Sequence, residues 1–232
     1  MKHSVSLLLL LASCAPESTS IRGEEREAFI PMVRIRQSLD GQPPSPPDSH
    51  ETRVRSMFEF DFAYGHGESD QSIDAGEDVD FAGTQIFGPA DVDSEYDLTT
   101  ARARVTVGPE VGDFRFEGIL GLGANHFALR VSSGALEDHD HTTSLGFLLG
   151  LRGAVKPTPW SEFYVTLEEF LGGGSGDPVE VSMIEVGVTF TPPELGAGLV
   201  LGWRRWRYLE ERSGSDINLE LSGLMVGVEL GF

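Results

Sequence analysis

Apolar side chains return at every second position of this chain, segment after segment, and that period decides what it can fold into. From Val54 to Tyr64, Ser56, Phe58, Phe60, Phe62 and Tyr64 share one face, while Arg55, Met57, Glu59, Asp61 and Ala63 share the other. A two-residue period belongs to the β-strand, whose successive side chains point to opposite faces of a sheet. One such segment fits any half-buried strand. Here it recurs. Ala101, Ala103, Val105 and Val107 alternate with Arg102, Arg104 and Thr106, and Phe114, Phe116, Leu120 and Leu122 with Arg115, Glu117 and Gly121. Leu145, Phe147, Leu149 and Leu151 alternate with Ser144, Gly146, Gly150 and Arg152; Phe163, Val165 and Leu167 do so with Tyr164, Thr166 and Glu168. Ile184, Val186, Val188 and Phe190 oppose Glu185, Gly187 and Thr189, and Leu199, Leu201 and Trp203 oppose Gly202 and Arg204. Leu224, Val226, Val228, Leu230 and Phe232 oppose Met225, Gly227, Glu229 and Gly231, which brings the alternating segments to eight.

No hydrophobic run after Cys14 approaches the roughly 20 residues that a spanning helix needs. A chain that crosses lipid without helices must close a barrel, because only then is every backbone group satisfied. An even number of alternating segments, each of about ten residues, is the pattern of a transmembrane barrel. The expected fold is therefore all-β, an eight-stranded antiparallel up-and-down transmembrane β-barrel over residues 54–232. The short connections "GPEVGD" (108–113), "KPTPWS" (156–161) and "TPPEL" (191–195) alternate with longer ones at about 65–98, 125–142, 171–178 and 207–216. Tight turns at one mouth and long loops at the other follow, with both termini on the tight-turn side.

The start "MKHSVSLLLLLASCAPES" joins a basic residue, a short apolar run and small residues. That is an export signal too short to span a bilayer. Leu11-Ala12-Ser13-Cys14 resembles the lipobox of bacterial lipoproteins, in which the signal is cut before an acylated cysteine. The alternative is ordinary signal cleavage, with Cys14 incidental; it prefers an A-x-A-like pattern, and none stands nearby without Pro16 at the cut. The chain divides into a signal over 1–13, a periplasmic linker over 14–53 and the barrel over 54–232. "DGQPPSPPDSHE" is proline-rich and reads as extended linker. "EEREAFIPMVRIRQSL" before it stays open between a short helix and a strand, since Pro31 interrupts either.

Residues 54–232 resemble the small eight-stranded outer-membrane proteins of the OmpA and OmpX type, on the strength of the alternation and the ending "VELGF". The resemblance implies a Gram-negative outer membrane, outer-membrane lipid around the barrel, and recognition of Phe232, Leu230 and Val228 by the barrel-assembly machinery.

Charge placement fits that topology. Arg102, Arg104, Arg115, Arg152 and Arg204 fall on the faces away from lipid, as do Glu59, Asp61, Glu117, Glu162, Glu168, Glu185 and Glu229. An Arg or Lys facing lipid at the midplane would cost about 2–4 kcal/mol. About eight strands leave a bore that side chains just fill, so these groups are expected to form a plugging ion-pair network. Lys and Arg number 17 against 37 Asp and Glu, a net charge of −20, which disfavours nucleic acid as a partner.

The acidic surplus concentrates in the first long loop, where Asp91, Asp93, Glu95 and Asp97 stand two apart and share a face if the strand extends above the membrane. Weak divalent-cation binding there is chemically reasonable, carboxylate oxygens being the ligands such ions take. A solvated acidic tip is the competing reading. "EDHDH" (137–141) offers a transition metal His139 and His141, against the competing reading of a plain exposed loop. Cys14 is the only cysteine, so no internal disulfide forms. No Gly-x-Ser-x-Gly elbow or phosphate loop occurs, and no cofactor is implied. His126, Ser132, Ser133, His141, Thr143 and Ser144 cluster near one outer loop without the His-x-Ser spacing of lipid A deacylase barrels. The expected role is structural or surface-interacting; a lipid-modifying enzyme and a narrow solute channel are the alternatives.

Overall fold

The computed structural model describes residues 21–22, 27–39, 52–76, 78–81, 84–174, 177–192, 195–212 and 215–231. Cys14, the signal over 1–13 and Phe232 lie outside the described residues. The strands are β1 (Ile21–Arg22), β2 (Glu27–Ser38), β3 (Thr52–Ile73), β4 (Asp78–Phe81), β5 (Thr84–Phe87), β6 (Ala90–Val111), β7 (Phe114–Ser133), β8 (Leu136–Thr158), β9 (Ser161–Gly174), β10 (Asp177–Phe190), β11 (Ala197–Arg212) and β12 (Ser215–Gly231). Long alternating segments with glycine-rich connections leave the chain little else to form, and all regular structure among the described residues is strand.

Nine strands close into a ring. β2, β3 and β6 to β12 pair in that order, each antiparallel to the next, and β12 returns to β2 in parallel. β1 continues the parallel seam along β12, and β4–β5 is a separate hairpin within the β3–β6 connection. The expectation of eight antiparallel strands is corrected here to nine, with one parallel seam. The added strand is β2, drawn from the segment that Pro31 left open. Its ladder to β3 starts at Met32, paired with Ala63, directly after a proline that has no N–H to donate.

Parity then moves one end of the path. Successive antiparallel strands reverse direction, so an odd number makes the first and last strands parallel. Glu27 enters beside Ser222 and β2 descends to Arg36 beside Gly231. Both ends were expected at the tight-turn mouth; instead the path enters on the long-connection side and leaves at the tight-turn mouth.

The connections also differ from expectation. Tight turns close β6–β7 at Gly112–Asp113 and β8–β9 at Pro159–Trp160, as anticipated. At the other mouth, most of the expected loop is strand. β3 and β6 stay paired up to Ile73 opposite Ala90, and β7 and β8 up to Ser133 opposite Leu136. Gly134, with φ of 60°, makes the β7–β8 turn, a left-handed conformation that glycine adopts without strain.

These extensions were hidden because the polarity of the two faces exchanges along the strands. In the half near the tight turns the outward face is apolar. Leu145, Phe114 and Phe147 are 70%, 69% and 66% exposed, and Phe58, Phe62, Leu122, Val165 and Leu199 join them around the ring. Inward positions there are charged: Glu59, Arg104, Glu117, Arg152 and Glu185 are buried. Above this band the arrangement reverses. Asp91, Asp93 and Glu95 point out from β6, while Val92, Tyr96 and Leu98 point in. The buried apolar cluster, including Trp206, Phe127, Leu129, Tyr208 and Leu219, fills that upper interior. Gly65 on β3 makes room for it, since a Cβ there would stand 2.7 Å from the Trp206 ring.

Candidate functional site

The ring's most concentrated chemistry is its charged interior, which the nine strands of the ring build from alternate residues. The deepest layer centres on Glu59. It accepts from Arg36 Nε at 2.6 Å, from Arg104 Nε at 2.9 Å and from Arg152 Nη1 at 2.5 Å. Arg104 also reaches Glu168 at 2.8 Å, and Arg102 donates to the other oxygen of the same carboxylate. Arg152 Nε donates to Thr166 Oγ1 at 3.0 Å. A second group joins Arg34, Arg204, Asp61 and Glu185. Arg34 Nη2 donates to Glu185 at 2.6 Å, Arg204 Nε to the same residue at 2.8 Å, and Arg204 Nη2 to Asp61 at 3.3 Å. The guanidinium of Arg34 lies 5.2 Å from the centre of the Tyr164 ring and that of Arg152 5.3 Å, so two cations lie over the same phenol ring. All of these charged side chains are buried.

Toward the tight-turn mouth the network opens. Arg115 pairs with Glu117 at 3.0 Å and Glu162 at 2.8 Å, and Arg36 reaches Glu162 at 3.1 Å and Glu229 at 3.2 Å. Arg55 pairs with Glu110 at 3.0 Å and Lys156 with Glu162 at 3.5 Å. Arg36, Arg55, Arg115, Lys156, Glu162 and Glu229 line a cavity of about 540 Å³ there, beside Trp160. Toward the opposite mouth Arg204 lies over the Trp206 ring, 5.3 Å from its centre, and the apolar cluster begins.

Each arginine singled out from the sequence, Arg102, Arg104, Arg115, Arg152 and Arg204, points inward and meets a carboxylate. Glu59, Asp61, Glu117, Glu168, Glu185 and Glu229 are the carboxylates anticipated for them, and all point inward. The sequence reading missed Arg34 and Arg36, because their strand was left undecided. The signal was present: in "MVRIRQS" Val33 and Ile35 alternate with Met32, Arg34 and Arg36 as in every other strand. Val228 and Leu230 face outward on β12, beside Val33 and Ile35 of β2.

The outward acidic residues form a ladder, with Glu68 opposite Glu95 and Asp70 opposite Asp93 on paired strands. Among the described residues no three of His, Cys, Asp and Glu are grouped to hold a metal ion. Just above the apolar band, His66 Nδ1 lies 2.9 Å from Asp97 and Tyr64 donates to the same carboxylate at 2.5 Å. Its hydrogen bond to Asp97 holds the His66 imidazole pKa above the usual histidine value. On the neighbouring strands, His126 Nδ1 and Thr143 Oγ1 are 2.9 Å apart, and the His126 and His141 ring centres are separated by 6.4 Å. The chain matches no family model, no curated protein and no solved structure.

Proposed function

We propose that this chain is an outer-membrane β-barrel of a Gram-negative bacterium, a structural or surface-interaction protein whose bore is plugged by ion pairs. One observation carries the reading: the outward face is apolar around the whole ring in one band, then turns polar and charged above it, acidic on β3 and β6, without any break in the alternation. An exposed apolar belt of that extent is tolerated only against another apolar medium. Aromatic side chains at its edges, Trp160 stacked on Phe190 at 5.9 Å on the tight-turn side and Tyr64 on the other, suit a girdle at the lipid–water boundary. The tight-turn mouth then faces the periplasm, and the acidic strand extensions face outward. Acylation of Cys14 and recognition of Phe232 by the assembly machinery belong to the same reading.

The test is biochemical. The membrane fraction should keep the protein through carbonate extraction, and the folded form should migrate differently before and after boiling. A soluble product that extracts freely would end the reading. Mass spectrometry of the mature N-terminus should find acylated cysteine; an unmodified start further along would remove Cys14 from it.

A second reading, a lipid-modifying enzyme, rests on His126 and Thr143, an imidazole within hydrogen-bond reach of a hydroxyl at the level of lipid headgroups. Ester hydrolysis of outer-membrane lipid that disappears in Thr143→Ala would support it, and no hydrolysis by the wild type would dismiss it.

A further inference from the structure

Between the charged layers and the apolar cluster runs a short polar row that the ion-pair network does not use. Thr100, Asn125 and Ser144 are laterally paired on β6, β7 and β8 and all project into the ring. Each is buried, at 0%, 2% and 0% exposure, and Thr100 Oγ1, Asn125 Nδ2 and Ser144 Oγ have no protein partner. Directly opposed residues on one face of a sheet hold their Cβ atoms about 4.5–5.5 Å apart, so three short side chains this close can serve a single small ligand. Arg102 stands one step below Thr100 on the same face of β6, and two of its N–H-bearing nitrogens, Nε and Nη2, are likewise buried without a protein partner.

The charge balance around Arg102 points the same way. Arg102, Arg104 and Arg152 share two carboxylates, Glu59 and Glu168, and Arg36 draws on Glu59 as well. Arg102 meets Glu168 and the sulfur of Met183, while Arg104 occupies the second oxygen of that carboxylate. Every uncovered group in the row can donate a hydrogen bond: two hydroxyls, an amide nitrogen and a guanidinium. Buried donors left unmet are costly, and a guanidinium without full compensation more so. Leu98 and Phe127 stand one step above the row on β6 and β7, Thr142 stands one step above it on β8 and donates to the buried Glu210 at 3.2 Å, and Phe170 and Leu148 pack over Gly123 below.

We infer that Thr100, Asn125, Ser144 and Arg102 form a binding site for a small monovalent anion of halide type. The uncovered groups are all donors, and the one cation among them is already paired with Glu168, so a small monovalent anion suits the row better than a phosphate, whose charge and size exceed what it supplies. The inference does not depend on the ring lying in a membrane.

The experiment replaces chloride by bromide during crystallisation of the full chain and reads the anomalous signal. A bromide peak within hydrogen-bond distance of Asn125 Nδ2 and Arg102 is expected; ordered water alone at that position would overturn the site. In solution, the unfolding temperature should be higher in sodium chloride than in sodium gluconate at equal ionic strength. Ser144→Ala and Thr100→Val, which keep the fold's shape, should each lose that difference. A wild-type protein indifferent to the exchange of chloride for gluconate would also overturn the inference, whatever the variants do.

Discussion

Arg152 on β8 donates to Glu59 on β3 at 2.5 Å, across an interior that separates them by the two intervening strands β6 and β7. Glu59 is the point where three guanidiniums meet, so the two residues are unequal partners in one contact. Removing one member of a buried pair leaves the other uncompensated, at a typical cost of about 3–5 kcal/mol. Arg152→Leu should therefore lower the urea midpoint of the protein in detergent strongly, although leucine would be welcome on the outward face. Glu59→Gln should be worse, because it strips Arg36 and Arg104 as well. Replacing Arg152 and Glu59 together by packed apolar residues should be milder than Glu59→Gln. Midpoints in the opposite order would mean that the interior charges are screened by water rather than paired.

The parallel seam makes a prediction about sidedness. Insertion of an epitope at Gly134 and insertion before Ile21 should be exposed at the same membrane surface, since β1 pairs with Ile217 and Asn218 in the long-connection half. An epitope at Gly112–Asp113 should be shielded in intact cells. Antibody labelling before and after permeabilisation reads all three. Exposure of the Gly134 epitope with shielding of the one before Ile21 would restore an even-stranded ring and dissolve the β2–β12 pairing.

How far the sequence foretold this arrangement depends on which face a residue was read from. The apolar outward face gave the strand core of β3 and β6 to β12 and the direction of every interior arginine in them, because lipid-type alternation is strongly patterned. The upper strand halves carry the same period with its polarity reversed. Asp91, Asp93, Glu95 and Asp97 were seen to stand two apart, but an apolar outward face was the sign of a strand, and there the apolar residues Val92, Tyr96 and Leu98 are inside. β2 was lost for a different reason. Pro31 forbids one ladder bond, not a strand at a seam, and the rest of β2 alternates as its neighbours do. The contacts from Arg34 to Glu185 and from Arg36 to Glu229 join residues 151 and 193 positions apart, and no local pattern carries such a distance.

The exposed pair of His66 and Asp97 should give the upper β3–β6 strands a pH dependence. The imidazole pKa is raised by its hydrogen bond to Asp97, so the folded state holds the proton more tightly than the unfolded chain. The stabilisation is fully present below the ordinary histidine value and is lost as pH rises through the raised one. The protection of the β3–β6 amides near His66, taken relative to the intrinsic exchange rate at each pH, should fall over that window in the wild type. His66→Gln should flatten the response. An NMR titration that places His66 at or below the ordinary value would contradict the assignment.

The last expectation concerns conduction. Two barriers stand in series along the bore: the arginine–carboxylate layers, and the apolar cluster in which Trp206 is fully buried and Tyr96, Phe127 and Leu221 nearly so. An ion entering from the cavity near Trp160 meets fixed charges tied to one another in ion pairs, and beyond the polar row a tightly packed, mainly apolar region that offers few groups to replace its hydration. Planar-bilayer recordings of the wild-type protein should thus show little or no steady conductance. Glu59→Gln should remain closed, because it disrupts the first barrier and leaves the second. Trp206→Ala should also remain closed, the charged layers being intact. The combination should open the bore and give measurable current that neither change gives alone. Large, stable conductance from the wild type would mean an open bore and would replace the plugged-barrel reading by a transport function.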